Sequence, residues 1–227
     1  QCKDTGYVDQ EMCTCMKKRI MERLYDQSNV KELVKTENFN TFRFDYYSDQ
    51  RREGQELSPR ENMQQNYKKA LDFTRQIEEG ASLLLWGPTG LGKTFLCNAI
   101  AKEVLEQGKV VLYFTSGQLC RLFEAYRFGA KDEDVPKEDP MEDLLDADLL
   151  IIDDLGTEFS TVLTASELFR VINERALRKK SVVLSTNLGA DKLVNQYSDR
   201  FLSRVRGTYE VMAFYGEDIR IRKKYEK

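Results

Sequence analysis

The sequence predicts an α/β fold, a mainly parallel sheet held between two layers of helices. Three observations carry that expectation. From residue 82 onward, short apolar runs without polar alternation take turns with amphipathic stretches, the pattern of a parallel sheet covered on both faces. The first of these runs ends in a glycine-rich turn that opens directly into a helical repeat of apolar residues. A later run, 149–152, delivers two acids, Asp153 and Asp154, at its C-terminal end. Open parallel sheets place their ligands at that edge.

In chain order, residues 1–35 are polar and carry Cys2, Cys13 and Cys15, with a helix expected over 15–33. Residues 36–49 are dense in aromatics (Phe39, Phe42, Phe44, Tyr46, Tyr47) and read as an extended linker packed on a neighbouring surface, continuing to residue 57. Ser58-Pro59 marks a helix start, because serine caps free N–H groups and proline fits the first helical position. That helix is expected within 58–79. Strand 82–86, the glycine turn and helix 92–107 follow. The β-branched and aromatic run 110–115 is a strand, and 116–128 a helix with Leu119, Leu122, Phe123 and Tyr126 on one side. An acidic stretch, 130–147, holds Pro136 and Pro140 and receives no element. Strand 149–152, helix 161–179, strand 182–186, helices near 190–205, strand 208–214 and a basic helix over 216–225 complete the pattern. The expected organisation is a cysteine-bearing segment (1–35), an aromatic linker (36–57) and one α/β domain (58–227).

Composition narrows the function classes. The chain has 227 residues, 41% hydrophobic and 32% charged, enough for one good core. No apolar run approaches the ~20 residues of a membrane span, and no secretory signal is present. The first residue is Gln1, so the chain reads as a fragment or a processed form. Five cysteines without framework spacing suit a reducing cytoplasm. The absence of histidine excludes Ser-His and Cys-His catalytic pairs and leaves acid–base work to carboxylates, lysines or oriented water. The net charge of −3 is unevenly spread: residues 132–154 carry eleven acids and one base, residues 200–227 eight bases and four acids. An acidic and a basic face suit docking of like subunits or nucleic acid, and equally a solvated loop and tail.

The glycine turn carries the chemistry. Gly87-Pro88-Thr89-Gly90-Leu91-Gly92-Lys93-Thr94 matches the phosphate-binding pattern G-x-x-x-x-G-K-[ST], between strand and helix as its mechanism requires. Glycines let backbone N–H groups converge on phosphate oxygens, and the helix N-terminus, with Phe95 in its first turn, adds partial positive charge. Lys93 reaches the β- and γ-phosphates, and Thr94 ligates Mg²⁺. Asp153 is then the second Mg²⁺ residue and Asp154 the group that polarises the attacking water. Glutamate is the commoner residue there; aspartate is shorter by one bond of about 1.5 Å, which predicts slow turnover. Asn187 ends the strand of Ser185-Thr186 and reads either as a turn residue or as the γ-phosphate sensor that orients water.

The order GPTGLGKT, LLIIDDLG, LSTN, DRFLSRVRG and DIRIRKK resembles the AAA+ ATPases of the bacterial helicase-loader group, which includes the DnaC and DnaI loaders and the IstB transposition helpers. The resemblance covers residues 36–227. It implies a three-layer P-loop NTPase fold without the helical lid domain, ATP or ADP with Mg²⁺, and a replicative DNA helicase as partner. It also implies self-association through a shared ATP site. On that resemblance Arg204, in Ser203-Arg204-Val205, is the arginine finger offered to a neighbouring subunit, with Arg200 one helical turn earlier as the alternative. Arg220 is the sensor arginine near the chain end. Each arginine by itself reads as a surface ion-pairing residue. Cys2, Cys13 and Cys15 look like the end of the zinc-binding segment of DnaI-type loaders, and that resemblance implies a further cysteine just upstream to complete the four ligands of a structural Zn²⁺; by themselves they read equally as three free thiols.

Residues 118–146 sit where initiator-type relatives insert helices that line a DNA groove. Arg121, Arg127 and Lys131 are available there, but the acids that follow limit single-stranded DNA contact to a weak, salt-sensitive one. Phe39, Phe42 and Tyr46 either cover an adenine or belong to the core. The sequence reading is a slow, assembly-dependent ATPase that helps deliver the replicative helicase. Its rivals are an IstB-like transposition helper, a nucleotide-gated binder with negligible hydrolysis, and a small-molecule kinase, whose pocket and arginine-bearing lid the sequence does not show.

Overall fold

Strands without a polar face need cover on both sides, and helices supply it here. The computed structural model describes residues 7–8, 11–12, 36–128 and 140–221. A two-residue hairpin near the start pairs β1 (Tyr7–Val8) with β2 (Glu11–Met12) in antiparallel register. The main sheet consists of β3 (Ser82–Trp86), β4 (Val111–Thr115), β5 (Leu149–Leu155), β6 (Ser181–Thr186) and β7 (Glu210–Ala213). Every pairing in it is parallel, in the order β4-β5-β6-β3-β7.

Alternation along each strand divides the core in two. Leu83, Leu85, Val111, Tyr113, Leu149, Ile151 and Val183 face one side, against α1 (Pro59–Thr74) and α2 (Lys93–Glu106). Leu84, Leu112, Leu150, Ile152, Val182 and Leu184 face the other. That side is covered by α3 (Ser116–Phe128), α4 (Pro140–Asp146), α5 (Val162–Leu177), α6 (Ala190–Tyr197) and α7 (Asp199–Thr208). Each of these buried aliphatic side chains contributes about 1.5–3 kcal/mol.

Helix α1 begins as the sequence predicts. The Ser58 hydroxyl accepts from the Glu61 N–H at 3.2 Å, and the Glu61 carboxylate accepts from the Ser58 N–H at 2.8 Å, a reciprocal cap. The aromatic segment is not extended: it forms two 3-10 turns, Phe39–Thr41 and Phe44–Tyr46, and packs into the α1–α2 core.

Three further elements differ from the sequence expectation. The acidic stretch ends in helix α4, whose Met141, Leu144 and Leu145 fall at helical spacing. The fully buried Arg175 of α5 holds its C-terminus, donating to the carbonyls of Leu144, Ala147 and Ser181 at 2.6, 2.9 and 2.7 Å. Strand β5 runs three residues beyond the apolar run, through both acids. The strand expected over 208–214 is shorter, Glu210–Ala213, because α7 runs on to Thr208. The helices expected near 190–205 are α6 and α7, which meet at Ser198, where φ is 106° and ψ 160°. The basic helix of 216–225 is described only for its first turn, from Ile219, and the helix expected over 15–33 lies outside the described residues.

Candidate nucleotide site

The glycine loop leaves β3 and re-enters as α2. Gly87, Gly90 and Gly92 have φ of 151°, 74° and 86°. A Cβ at Gly87 would lie 2.2 Å from the Phe214 carbonyl oxygen, and one at Gly90 would lie 2.1 Å from the Asp218 carboxylate. Conformation and space therefore both demand glycine at these two positions. Helix α2 opens on Gly92 with no side-chain cap, so its first N–H groups have no acceptor within the helix. The buried Lys93 donates to the carbonyls of Gly87 and Pro88, both at 2.7 Å. An uncapped N-terminus of a 14-residue helix with an ammonium folded into its loop is chemically suited to a polyphosphate. Thr94 is exposed as the second residue of α2, and the half-buried Phe95 packs edge-on against Phe42 at 5.3 Å.

The two acids have opposite settings because β5 bulges between them. Ile152 pairs with Leu184 and Leu155 with Thr186, so β5 spends three residues where β6 spends two. The extra residue is accommodated at Asp154, whose φ is 54°. A bulge re-aims a side chain and frees its backbone from the ladder. The freed Asp154 N–H donates to the Ser185 hydroxyl at 2.9 Å. The Asp154 carbonyl accepts from the hydroxyls of Ser116 and Thr157, each at 2.9 Å, and from the Thr157 N–H at 3.2 Å. Asp153 stays buried, accepting from the Ser185 hydroxyl and from the Tyr113 hydroxyl at 3.0 Å. Its side chain points to the α2 face with Tyr113 and Ser185, while Asp154 reaches the surface.

The charges converge. Partial burial raises the Asp154 carboxyl above its ordinary 3.8, reinforced by the charge of Asp153 and opposed by Lys93 and Arg220. Burial lowers the Lys93 ammonium, and Asp154 and Asp153 act the other way. Arg220 thus belongs to the electrostatic surroundings of its own chain's loop. It donates to Asp218 at 3.3 Å, and the neighbouring Ile219 N–H donates to the Gly90 carbonyl at 2.9 Å. Arg204 stands elsewhere: on α7 it donates to Asn173 of α5 at 2.5 Å, beside a cleft of about 540 Å³ lined also by Phe169, Asp199 and Arg200. Asn187 is exposed just past the end of β6, whose Thr186 carbonyl accepts from the Gly87 N–H at 3.2 Å. Asn187 and the loop are thereby neighbours.

The model of the IstB-like ATP binding protein family matches residues 7–227 of this chain. The chain belongs to that family. Over 187 residues it is 24% identical to the replicative helicase loader DnaC of Escherichia coli K12, covering 82% of this chain and 69% of that protein. The crystal structure of the DnaC helicase loader superposes with a TM-score of 0.63 at 20% identity, covering 79% of this chain and 97% of the other. AMPPCP-bound DnaA from Aquifex aeolicus gives 0.59 at 22% identity, covering 84% of this chain and 55% of that one. The shared property at these identities is the fold. The chain is therefore an IstB-like ATP-binding protein that shares the fold of the DnaC loader, and the family implies nucleotide with Mg²⁺.

Within this family fold, sequence reasoning missed Ser185, Tyr113 and Asp218. Tyr113 pairs in register with Ile151, two residues before Asp153, a diagonal reach that only the β4–β5 adjacency reveals. Phe39 and Phe42 are taken up by the α1–α2 core, against Tyr67, and the Arg43 guanidinium lies 4.4 Å from the Tyr46 ring. Tyr47 instead touches the loop, donating to the Leu91 carbonyl at 3.1 Å. Arg121 and Arg127 are exposed on α3; Lys131, Cys2, Cys13 and Cys15 lie outside the described residues. Among the described residues no cluster of three or more metal-ligating side chains occurs, and no helix is long and apolar enough to cross a membrane.

Proposed function

We propose that this chain is the ATPase module of a helicase loader, hydrolysing ATP slowly in assembly with like chains and helping to deliver the replicative DNA helicase during initiation or restart of replication. The observation that carries the reading is the division of charged groups. Lys93, Asp153, Asp154 and Arg220 influence one another around one helix N-terminus, whereas Arg204 lines a separate surface cleft. In this reading Arg204, set apart from its own chain's phosphate loop, completes the site of a neighbour.

In this reading the loop 87–92 and the N-terminus of α2 hold the phosphates, and Lys93 exchanges its loop carbonyls for phosphate oxygens. Thr94 and Asp153 hold Mg²⁺, which supplies charge neutralisation at the β- and γ-oxygens when bound. Asp154 accepts the proton of the attacking water, Asn187 orients that water, and Arg220 and a neighbour's Arg204 stabilise charge on the transferring group. Single-stranded DNA contact through Arg121 and Arg127 is weak and salt-sensitive. On the family resemblance Cys2, Cys13 and Cys15 would contribute to a Zn²⁺ site, which metal analysis of a longer chain with and without Cys13→Ser tests.

The match to the IstB-like family model favours a second reading, a transposition helper. Capture on the immobilised chain separates the two. The loader reading predicts ATP-dependent retention of purified replicative helicase, lost in Lys93→Ala. Retention of a transposase with duplex DNA, and no retention of helicase, overturns it.

A further inference from the structure

The segment between β5 and α5 is bound to the end of α6 by a small polar cluster centred on Glu158, beside which the Ser160 hydroxyl donates to the Gln196 carbonyl at 3.5 Å. Glu158 accepts from the Gly156 N–H at 3.0 Å through Oε2, and from the Tyr197 hydroxyl through Oε1. Gln196 donates to the Glu158 carbonyl at 3.2 Å and to Oε1 at 3.4 Å. The bridge joins a turn close to the acid to a buried residue. Gly156 follows Asp154 by two residues in a left-handed conformation, with φ of 99°, that favours glycine. Tyr197 is buried and packs at 5.0 Å on Phe201 of α7.

The apolar residue of this loop does not hold it. Phe159 is 100% exposed, so the polar contacts of Glu158 and Ser160 with α6 hold it. Beyond Tyr197 the chain passes through Ser198, in a conformation nearly confined to glycine, and enters the helix bearing Arg200 and Arg204. Asp154 and Ser198, two non-glycine residues with positive φ, thus stand at either end of the path from the acid to the arginine helix, with Glu158 between them.

We propose that Glu158 is a positioning residue that couples the loop behind Asp154 to the helix carrying Arg204, so that the nucleotide site of one chain sets the arginine it offers to the next. The proposal rests on the shared-site reading above. A carboxylate accepting at both ends transmits a shift as a displacement where its partner is close-packed, as the buried Tyr197 is.

Hydrogen–deuterium exchange on the whole chain tests this, with and without a non-hydrolysable ATP analogue and Mg²⁺. Wild type is expected to gain protection over 87–96 and to change over 199–208. In Glu158→Gln and in Tyr197→Phe the first response persists and the second is lost, and assembly-dependent hydrolysis falls by about fivefold or more. Tyr197→Phe removes a single oxygen and so carries the test if Glu158→Gln fails to fold. Protection over 87–96 without any change over 199–208 in wild type overturns the coupling and leaves the nucleotide reading standing. So does a change over 199–208 that survives in both variants. No protection over 87–96 in wild type overturns the nucleotide reading itself, and the coupling with it.

Discussion

Ser185→Ala removes one hydroxyl that serves both acids. In the wild type that hydroxyl donates to the buried Asp153 carboxylate and accepts from the Asp154 N–H at 2.9 Å. A hydrogen bond to a charged group contributes about 1.5–3 kcal/mol, and an orphaned buried N–H costs about 1–3 kcal/mol. Asp154 reaches the surface, so water replaces the second interaction in part, and the side chain itself is small. The expected loss is about 2–3 kcal/mol, or roughly 4–12 °C in Tm for a domain of this size. Urea unfolding followed by the fluorescence of the single, partly exposed Trp86 measures it. Tyr113→Phe removes the other donor to Asp153, so the pair forms a double-mutant cycle with non-additive losses. The Mg²⁺ concentration needed for ATP binding should rise in both. A Ser185→Ala chain within about 0.5 kcal/mol of wild type, with unchanged Mg²⁺ dependence, refutes the assignment of this hydroxyl as the joint support of both acids.

Lys93→Ala should lower ATP affinity by about ten- to a hundredfold, the loss of one charge-assisted contact to phosphate, measured by titration with a fluorescent ATP analogue; unchanged affinity in a folded variant refutes the site. Asp153→Asn should weaken Mg²⁺-dependent binding, whereas Asp154→Asn should spare binding and lower hydrolysis; equal loss of binding in both refutes the division of roles. Because the folded chain raises the Asp154 carboxyl above 3.8, it binds that proton more readily than the unfolded chain. Stability from this group therefore falls as pH rises through the raised value. Asp154→Asn should then melt slightly higher than wild type near neutral pH, the more so because asparagine tolerates a left-handed backbone. In wild type the acid limb of hydrolysis should lie above the ordinary aspartate value, as read from a pH–rate profile. Gly90→Ala should cost about 1–2 kcal/mol for its left-handed φ alone and should also displace Asp218 and the Ile219–Gly90 hydrogen bond. It should weaken nucleotide binding while leaving the helical circular dichroism intact.

The strand–loop–helix from Ser82 to Glu106 was legible because its signals are local: an apolar run, glycines and an apolar repeat at helical spacing. The same holds for the start of α1, which the adjacent Ser58 and Pro59 mark; the reciprocal bond from Glu61 is the structure's addition. Helix α4 escaped notice because prolines and acids dominated the stretch, although Met141, Leu144 and Leu145 form a stripe that a closer count finds. The setting of the acids was not legible. Ser185 meets Asp153 only because β6 lies between β5 and β3, and the bulge that turns Asp154 outward is a mismatch between two strands rather than a property of either. The position of the helix boundary at Ser198 was not legible, because no glycine or proline marks it.

On the shared-site proposal each ATP site is completed by the arginine of a neighbouring chain. The most direct test is steady-state phosphate release from an equimolar mixture of Arg204→Ala and Asp154→Asn chains, with replicative helicase and single-stranded DNA present. In mixed interfaces an intact Asp154 meets an intact Arg204. The account predicts activity clearly above the sum of the two variants measured separately, with ATP binding by the isolated Arg204→Ala chain unchanged. Activity no greater than that sum, together with weakened ATP binding by the dilute Arg204→Ala monomer, contradicts it and places this arginine in its own chain's site.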